Sequence, residues 1–136
     1  MAVTRTARRL RQEAGSDLSP TALTALASVE RHGPVTPTGL AELEGVKRPT
    51  ATRVINHLAE AGMIERHPDP EDGRSCRLEL TKQGIGYLEE HRSRKSAYLA
   101  RLLDSLPADD VKTLDRAAEI LNHALLDRPS EKGATA

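Results

Sequence analysis

The chain has 136 residues, 38% of them hydrophobic and 29% charged, with 20 basic and 20 acidic side chains and a formal net charge of zero. That length suits one domain with a core of its own. With no Phe or Trp and only two Tyr, apolar volume must come from Leu, Val, Ile and Ala, which favours packed helices over a sandwich or barrel.

The first element predicted is a short helix over residues 1–14, with Val3, Ala7, Leu10 and Ala14 on one side. Arg5, Arg8, Arg9 and Arg11 form its other face, solvated or turned to phosphate or a partner subunit. No apolar stretch follows these arginines, so the segment does not read as a secretory signal. No run anywhere approaches the roughly 20 apolar residues of a membrane span. The expectation is a soluble cytoplasmic protein.

Gly15-Ser16-Asp17 breaks the first helix, and Ser19 followed by Pro20 opens a second. Leu23, Leu26 and Ala27, with Glu30 next in the series, mark its inner side, and His32-Gly33-Pro34 ends it. Val35 is enough for a minimal strand. Thr36-Pro37 repeats the cap-plus-proline signal and starts a short helix with Leu40 and Leu43 inward, stopped by Gly45. The next helix runs from Lys47 to Ala61, with Ala51, Val54, Ile55, Leu58 and Ala61 facing the core. Two short helices around a tight glycine turn make a helix-turn-helix.

Met63-Ile64 begins a strand, and Arg77-Leu78-Glu79-Leu80 alternates as a half-buried strand does. The intervening Pro68-Asp69-Pro70-Glu71-Asp72-Gly73 is a loop. Thr81 caps a long helix to about Ser105, with Ile85, Leu88, Leu99, Leu102 and Leu103 as apolar positions. After Pro107 a last helix carries Val111, Leu114, Ala118, Leu121 and Leu125 at 3–4 spacing. From Asp127 the sequence reads as a disordered tail.

The predicted class is mainly α with a small β-hairpin wing (α+β). It is a winged helix-turn-helix at about 19–80, flanked by helices at about 3–14 and 81–126, all within one domain, 1–126. The flanking stripes exceed what so small a module can cover, so a homodimer is expected. Its interface would draw on Val3, Leu10, Leu102, Leu103, Leu106, Val111, Leu114, Leu121 and Leu125.

Chemistry concentrates in the helix after Lys47. From Lys47 to Ala59 there is no acidic residue, which is unusual for a surface helix in a charge-balanced chain. The N-terminal part of the second helix of such a motif meets base edges. There Arg suits guanine, Asn suits adenine, and Thr suits a thymine methyl. Candidate duplex contacts are Thr36 and Thr38, then Lys47, Arg48, Pro49, Thr50, Thr52, Arg53, Asn56 and His57. In the wing they are Asp72, Arg74 and Ser75, with Arg74 expected in the minor groove and Asp72 holding its guanidinium.

Thr52-Arg53-Val54-Ile55, Gly62-Met63-Ile64, Asp69-Pro70-Glu71-Asp72-Gly73-Arg74 and Leu80-Thr81-Lys82-Gln83-Gly84 together resemble the MarR family of bacterial transcription regulators. The likeness runs from the first helix to Leu125. It implies a homodimer joined through its terminal helices, each subunit placing a recognition helix in the major groove and a wing arginine in the minor groove; half-sites about one turn apart then make a pseudo-palindromic operator the expected partner. It also implies a repressor released by a small anionic or phenolic effector or by an oxidant. The chain departs from the pattern in lacking a first-helix cysteine: Cys76 falls on the second wing strand, where a buried structural thiol is expected. Only Tyr87 and Tyr98 are available as aromatic lining for an effector.

Nothing points to catalysis. His32, His57, His67, His91 and His123 lack metal-site spacing and read as surface or helix-end residues. No nucleophile elbow, phosphate loop or dinucleotide fingerprint occurs. No catalytic residue, metal or cofactor is expected, and a winged helix serving protein–protein contact is the alternative to duplex binding.

Overall fold

A computed structural model describes residues 1–126; the tail expected from Asp127 lies outside them. In chain order the elements are α1 (Ala2–Ala14), α2 (Pro20–His32), α3 (Pro37–Glu44), α4 (Arg48–Glu60), β1 (Ile64–Pro68), β2 (Cys76–Leu80), α5 (Lys82–Asp104) and α6 (Ala108–Leu126). The chain divides into two compact units, Met1–Tyr98 and one beginning at Leu99.

Local chemistry explains the boundaries. Ser19 accepts a hydrogen bond from the Ala22 amide and Thr36 from the Gly39 amide, each followed by Pro at the first helical position. Thr81 accepts from the Gly84 amide at 3.0 Å and donates to the Gly62 carbonyl at 2.6 Å, which fastens the start of α5 to the end of α4. Gly45 stops α3 in the left-handed region (φ 63°, ψ 34°), a conformation costly for side chains with a Cβ.

The first unit closes around Leu26, Leu40, Leu58, Leu78 and Val29, all fully buried. β1 and β2 form an antiparallel pair in which Ile64 faces Leu80, Glu65 faces Glu79, Arg66 faces Leu78 and His67 faces Arg77. The minimal strand expected at Val35 is a single bridge to Leu78, with hydrogen bonds of 3.2 and 2.7 Å. It sews the connection between α2 and α3 onto the wing. Glu30 of α2 pairs with Arg92 of α5 at 2.9 Å, and the Tyr87 hydroxyl accepts from the Asp17 amide at 3.1 Å while bonding the Ser16 hydroxyl.

Four packing expectations need correction. On α2 the buried positions are Ala22, Ala25, Leu26 and Val29. Glu30 lies outside because Arg92 offers it a charged partner at the surface. Leu43 is 46% exposed, since the single inward turn of α3 is filled by Leu40 and Ala41. Ile85 is 42% exposed, and Gly84, Leu88 and His91 carry the buried side of α5 instead. His91 is therefore a core residue, 3% exposed, and not the surface histidine anticipated.

α6 buries no residue, and its acidic first turn, Asp109 and Asp110, sits favourably at the positive end of the helix dipole. Among the described residues, no helix is long and apolar enough to cross a membrane.

Candidate nucleic-acid interface

α4 presents its candidate residues as the periodicity requires. Ala51, Ile55 and Leu58 are buried, whereas Lys47, Arg48, Pro49, Thr52, Arg53, Asn56 and His57 are exposed and Thr50 is half-buried. The N-cap is Lys47, which makes no side-chain cap. Unlike α2 and α3, this helix begins with amides not occupied by its own cap side chain. Uncapped N–H groups and the helix dipole together suit a phosphate oxygen.

Thr36 and Thr38 separate into two roles. Thr36 is half-buried, with its hydroxyl occupied by the α3 cap, while Thr38 is exposed on the first turn. Asn56 accepts a hydrogen bond from the Arg66 guanidinium of β1. Arg66 was not singled out by sequence, yet this bond aims Asn56 and adds a cation beside it. Strand alternation was the available signal: Arg66 lies two residues from Ile64, the buried residue of β1, and so on its side of the strand.

The wing turn is built differently from expectation. The Asp72 carboxylate accepts from the Arg74 backbone amide at 3.0 Å, and the Asp72 carbonyl accepts from the Ser75 amide at 3.0 Å. Asp72 thus shapes the turn and makes no ion pair with the Arg74 guanidinium. A two-residue separation around a tight turn directs the short side chain to backbone rather than to its neighbour's tip. Asp69 is the carboxylate that binds an arginine: its Oδ1 accepts from Arg77 Nε at 3.2 Å and from the Glu71 amide at 3.1 Å. These bonds, the Glu71 amide first, hold Asp69 below the ordinary carboxylate range. Arg74 stands exposed at the tip, next to half-buried Ser75. Cys76 is half-buried against the core, without a disulfide partner among the described residues.

A second feature of the first unit lies among α1, α2 and α5. A cleft of about 650 Å³ is lined by Arg8, Arg11, Gln12, Leu23 and His91 among others. A neighbouring cleft of about 340 Å³ shares Arg11, Leu23 and His91 and adds Leu10 and Lys95. His91 Nδ1 lies 3.3 Å from the Gly15 carbonyl, so Nδ1 carries the proton and donates. Its Nε2 is buried without a partner among the described residues. Burial, followed by Lys95, Arg94 and Arg92, pushes the His91 pKa below its ordinary 6.5.

The sequence profile of the MarR family matches residues 18–76, the stretch from α2 through the wing loop. An uncharacterised HTH-type transcriptional regulator of Mycobacterium leprae is 33% identical over 130 residues, 95% of this chain and 91% of its own length. The chain belongs to the MarR family of transcriptional regulators. Among solved structures, wild-type MarR from E. coli in its apo form superposes with a TM-score of 0.72 at 28% identity, covering 88% of this chain and 91% of that one. A mutant MarR from E. coli complexed with operator DNA gives 0.65 at 26% identity, covering 87% and 86%. The six helices and two-stranded hairpin of the described residues are thus the winged helix of MarR regulators, as the sequence led one to expect.

Proposed function

We propose that this chain is a homodimeric repressor that binds a pseudo-palindromic DNA operator and releases it when a small anionic effector binds. The observation that carries the reading is the pairing of an exposed, acid-free α4 start, uncapped by a side chain, with an exposed Arg74 on a turn held by Asp72. Thr50, Thr52, Arg53 and the oriented Asn56 are assigned to base edges in the major groove. Lys47, Arg48, Pro49, Thr38 and His57 lie against the backbone, and Arg74 with Ser75 enters the minor groove. Asp72 acts as a positioning residue, and Thr36 acts through the cap of α3.

Dimerisation is assigned to the uncovered apolar positions of the terminal helices. Val3, Leu102, Leu106, Leu114, Leu121 and Leu125 are exposed in the single chain, and Leu103 and Val111 are half-buried. Leu10 is half-buried at the cleft of α1 and α5. In this reading 1–126 operates as one domain of a two-fold dimer.

The effector reading rests on the cleft. Arg8 and Arg11 supply positive charge for a small anion, with His91 on the cleft wall. Tyr87 is committed to Ser16 and Asp17 and is not needed for stacking.

The test uses duplexes selected in vitro from random sequence. Arg53→Ala and Arg74→Ala should each weaken the selected duplex by about 1–3 kcal/mol without lowering the thermal midpoint. Arg74→Ala should also relax the preference for A·T-rich flanks. Wild-type affinity should fall steeply with salt, because phosphate contacts release counterions. Selection of no preferred duplex, or wild-type binding by both variants, would refute the interface and favour a protein–protein role.

A further inference from the structure

The outer face of the wing holds a cluster that spacing along the sequence does not reveal. Glu65 and His67 are two apart on β1, so they point to the same side. The register places Glu79 of β2 directly across from Glu65. His67 Nε2 lies 3.2 Å from a Glu65 carboxylate oxygen and 3.5 Å from one of Glu79. One ligand atom from each of the three lies within 4.8 Å of the others.

Two carboxylates facing each other across a hairpin repel. Arg77, the fourth residue on that face, does not relieve them, because its guanidinium is drawn to Asp69 at 3.2 Å and Glu71 at 3.9 Å. The arrangement therefore joins two carboxylates and one imidazole nitrogen, and the one arginine on that face is engaged elsewhere. Zinc binds nitrogen and oxygen at about 2.0–2.2 Å in a tetrahedron, whose edges are then about 3.3–3.6 Å. The two distances from Nε2, 3.2 and 3.5 Å, lie close to that edge. The donor set of one nitrogen and two oxygens suits a first-row transition dication, whereas calcium and magnesium favour all-oxygen shells.

We propose that Glu65, His67 and Glu79 form a site for a transition dication, with water completing the shell, and that its occupancy strengthens the wing's approach to duplex DNA. A bound dication cancels both carboxylate charges on an element that must come close to phosphate. The metal site stands on its own geometry. The effect on DNA rests on the function proposed above.

The test is calorimetric titration of the untagged full chain with zinc chloride. Wild type should take up one zinc per chain at the wing, and Cys76→Ser should match it. His67→Ala should lose that uptake, and Glu79→Gln should weaken it by more than about tenfold. All three positions are about half exposed, so the folded chain tolerates these changes. No uptake by wild type, or equal uptake by His67→Ala, overturns the site and leaves His67 as a hydrogen-bonding bridge between two carboxylates. In the second arm, zinc should raise wild-type affinity for the selected duplex roughly fivefold or more, and not that of His67→Ala. Equal duplex affinity with and without zinc overturns the coupling. If no duplex binds at all, the function proposed above fails, and the calorimetry still decides the metal site.

Discussion

Leu58 and Leu121 both lie on the apolar stripe of an amphipathic helix, yet Leu58 is fully buried and Leu121 is half exposed. The first belongs to the winged unit, where α2, α3, α4, β2 and α5 all send residues into one core. The second belongs to α6, which buries nothing. Periodicity alone announces that a stripe must be covered; it does not say by what. In the winged unit, short capped helices and a bridging Val35 bring the cover from the same chain. For the terminal helices the proposed cover is a second copy.

The sharpest way to break this comparison is a pair of truncations. Leu58→Ala should cost roughly 2–5 kcal/mol in chemical denaturation, with a loss that does not depend on protein concentration. Leu121→Ala should instead lower stability in proportion to dilution and shift sedimentation toward the monomer mass. A concentration-independent loss for Leu121→Ala would mean that α6 is covered within its own chain.

A second pair probes α5, which starts inside the winged unit. A Cβ at Gly84 would sit 2.1 Å from the Met63 carbonyl oxygen, while nothing lies within 4 Å of one at Gly86. Gly84→Ala should therefore cost about 1–3 kcal/mol by forcing α5 off the start of the wing. Gly86→Ala should gain up to about 1 kcal/mol from helix propensity. Thermal unfolding of the two variants reads the difference, and equal effects would show that the close approach at Met63 relaxes freely.

The smallest effect expected is a pH dependence. His91 is buried neutral, with its pKa lowered below 6.5 chiefly by burial. Protonation then favours the unfolded chain, so the stability it contributes is complete above about pH 6.5 and is lost as pH falls below that value. Urea midpoints between about pH 8 and about pH 5.5 should decline in wild type. His91→Leu should flatten that decline, and an unchanged slope would place the titrating group elsewhere.

Much of the winged unit was legible in the sequence because its signals are local. Ser19-Pro20 and Thr36-Pro37 each put a side-chain acceptor one residue ahead of a proline, and both caps form as read. The acid-free run after Lys47 became an exposed helix face because its apolar partners repeat at helical spacing. The wing was less legible. Asp69 and Asp72 are alike in sequence, and only the closed loop decides that Asp69 takes the Arg77 guanidinium while Asp72 takes the Arg74 amide. His91 looked like any helix histidine until α1, α2 and α5 packed around it.

By itself, then, the sequence determined where helices begin and stop, that each carries an apolar stripe, and the family to which the chain belongs. Those properties depend on neighbours within a few residues, where caps, prolines and periodicity act. Tertiary structure alone decided the one-position rotation that buries Val29 and exposes Glu30, and the register that sets His67 beside Glu65 and Glu79. These depend on what approaches from elsewhere in the chain. An arginine 62 residues away holds Glu30 at the surface, and a facing strand creates the cluster.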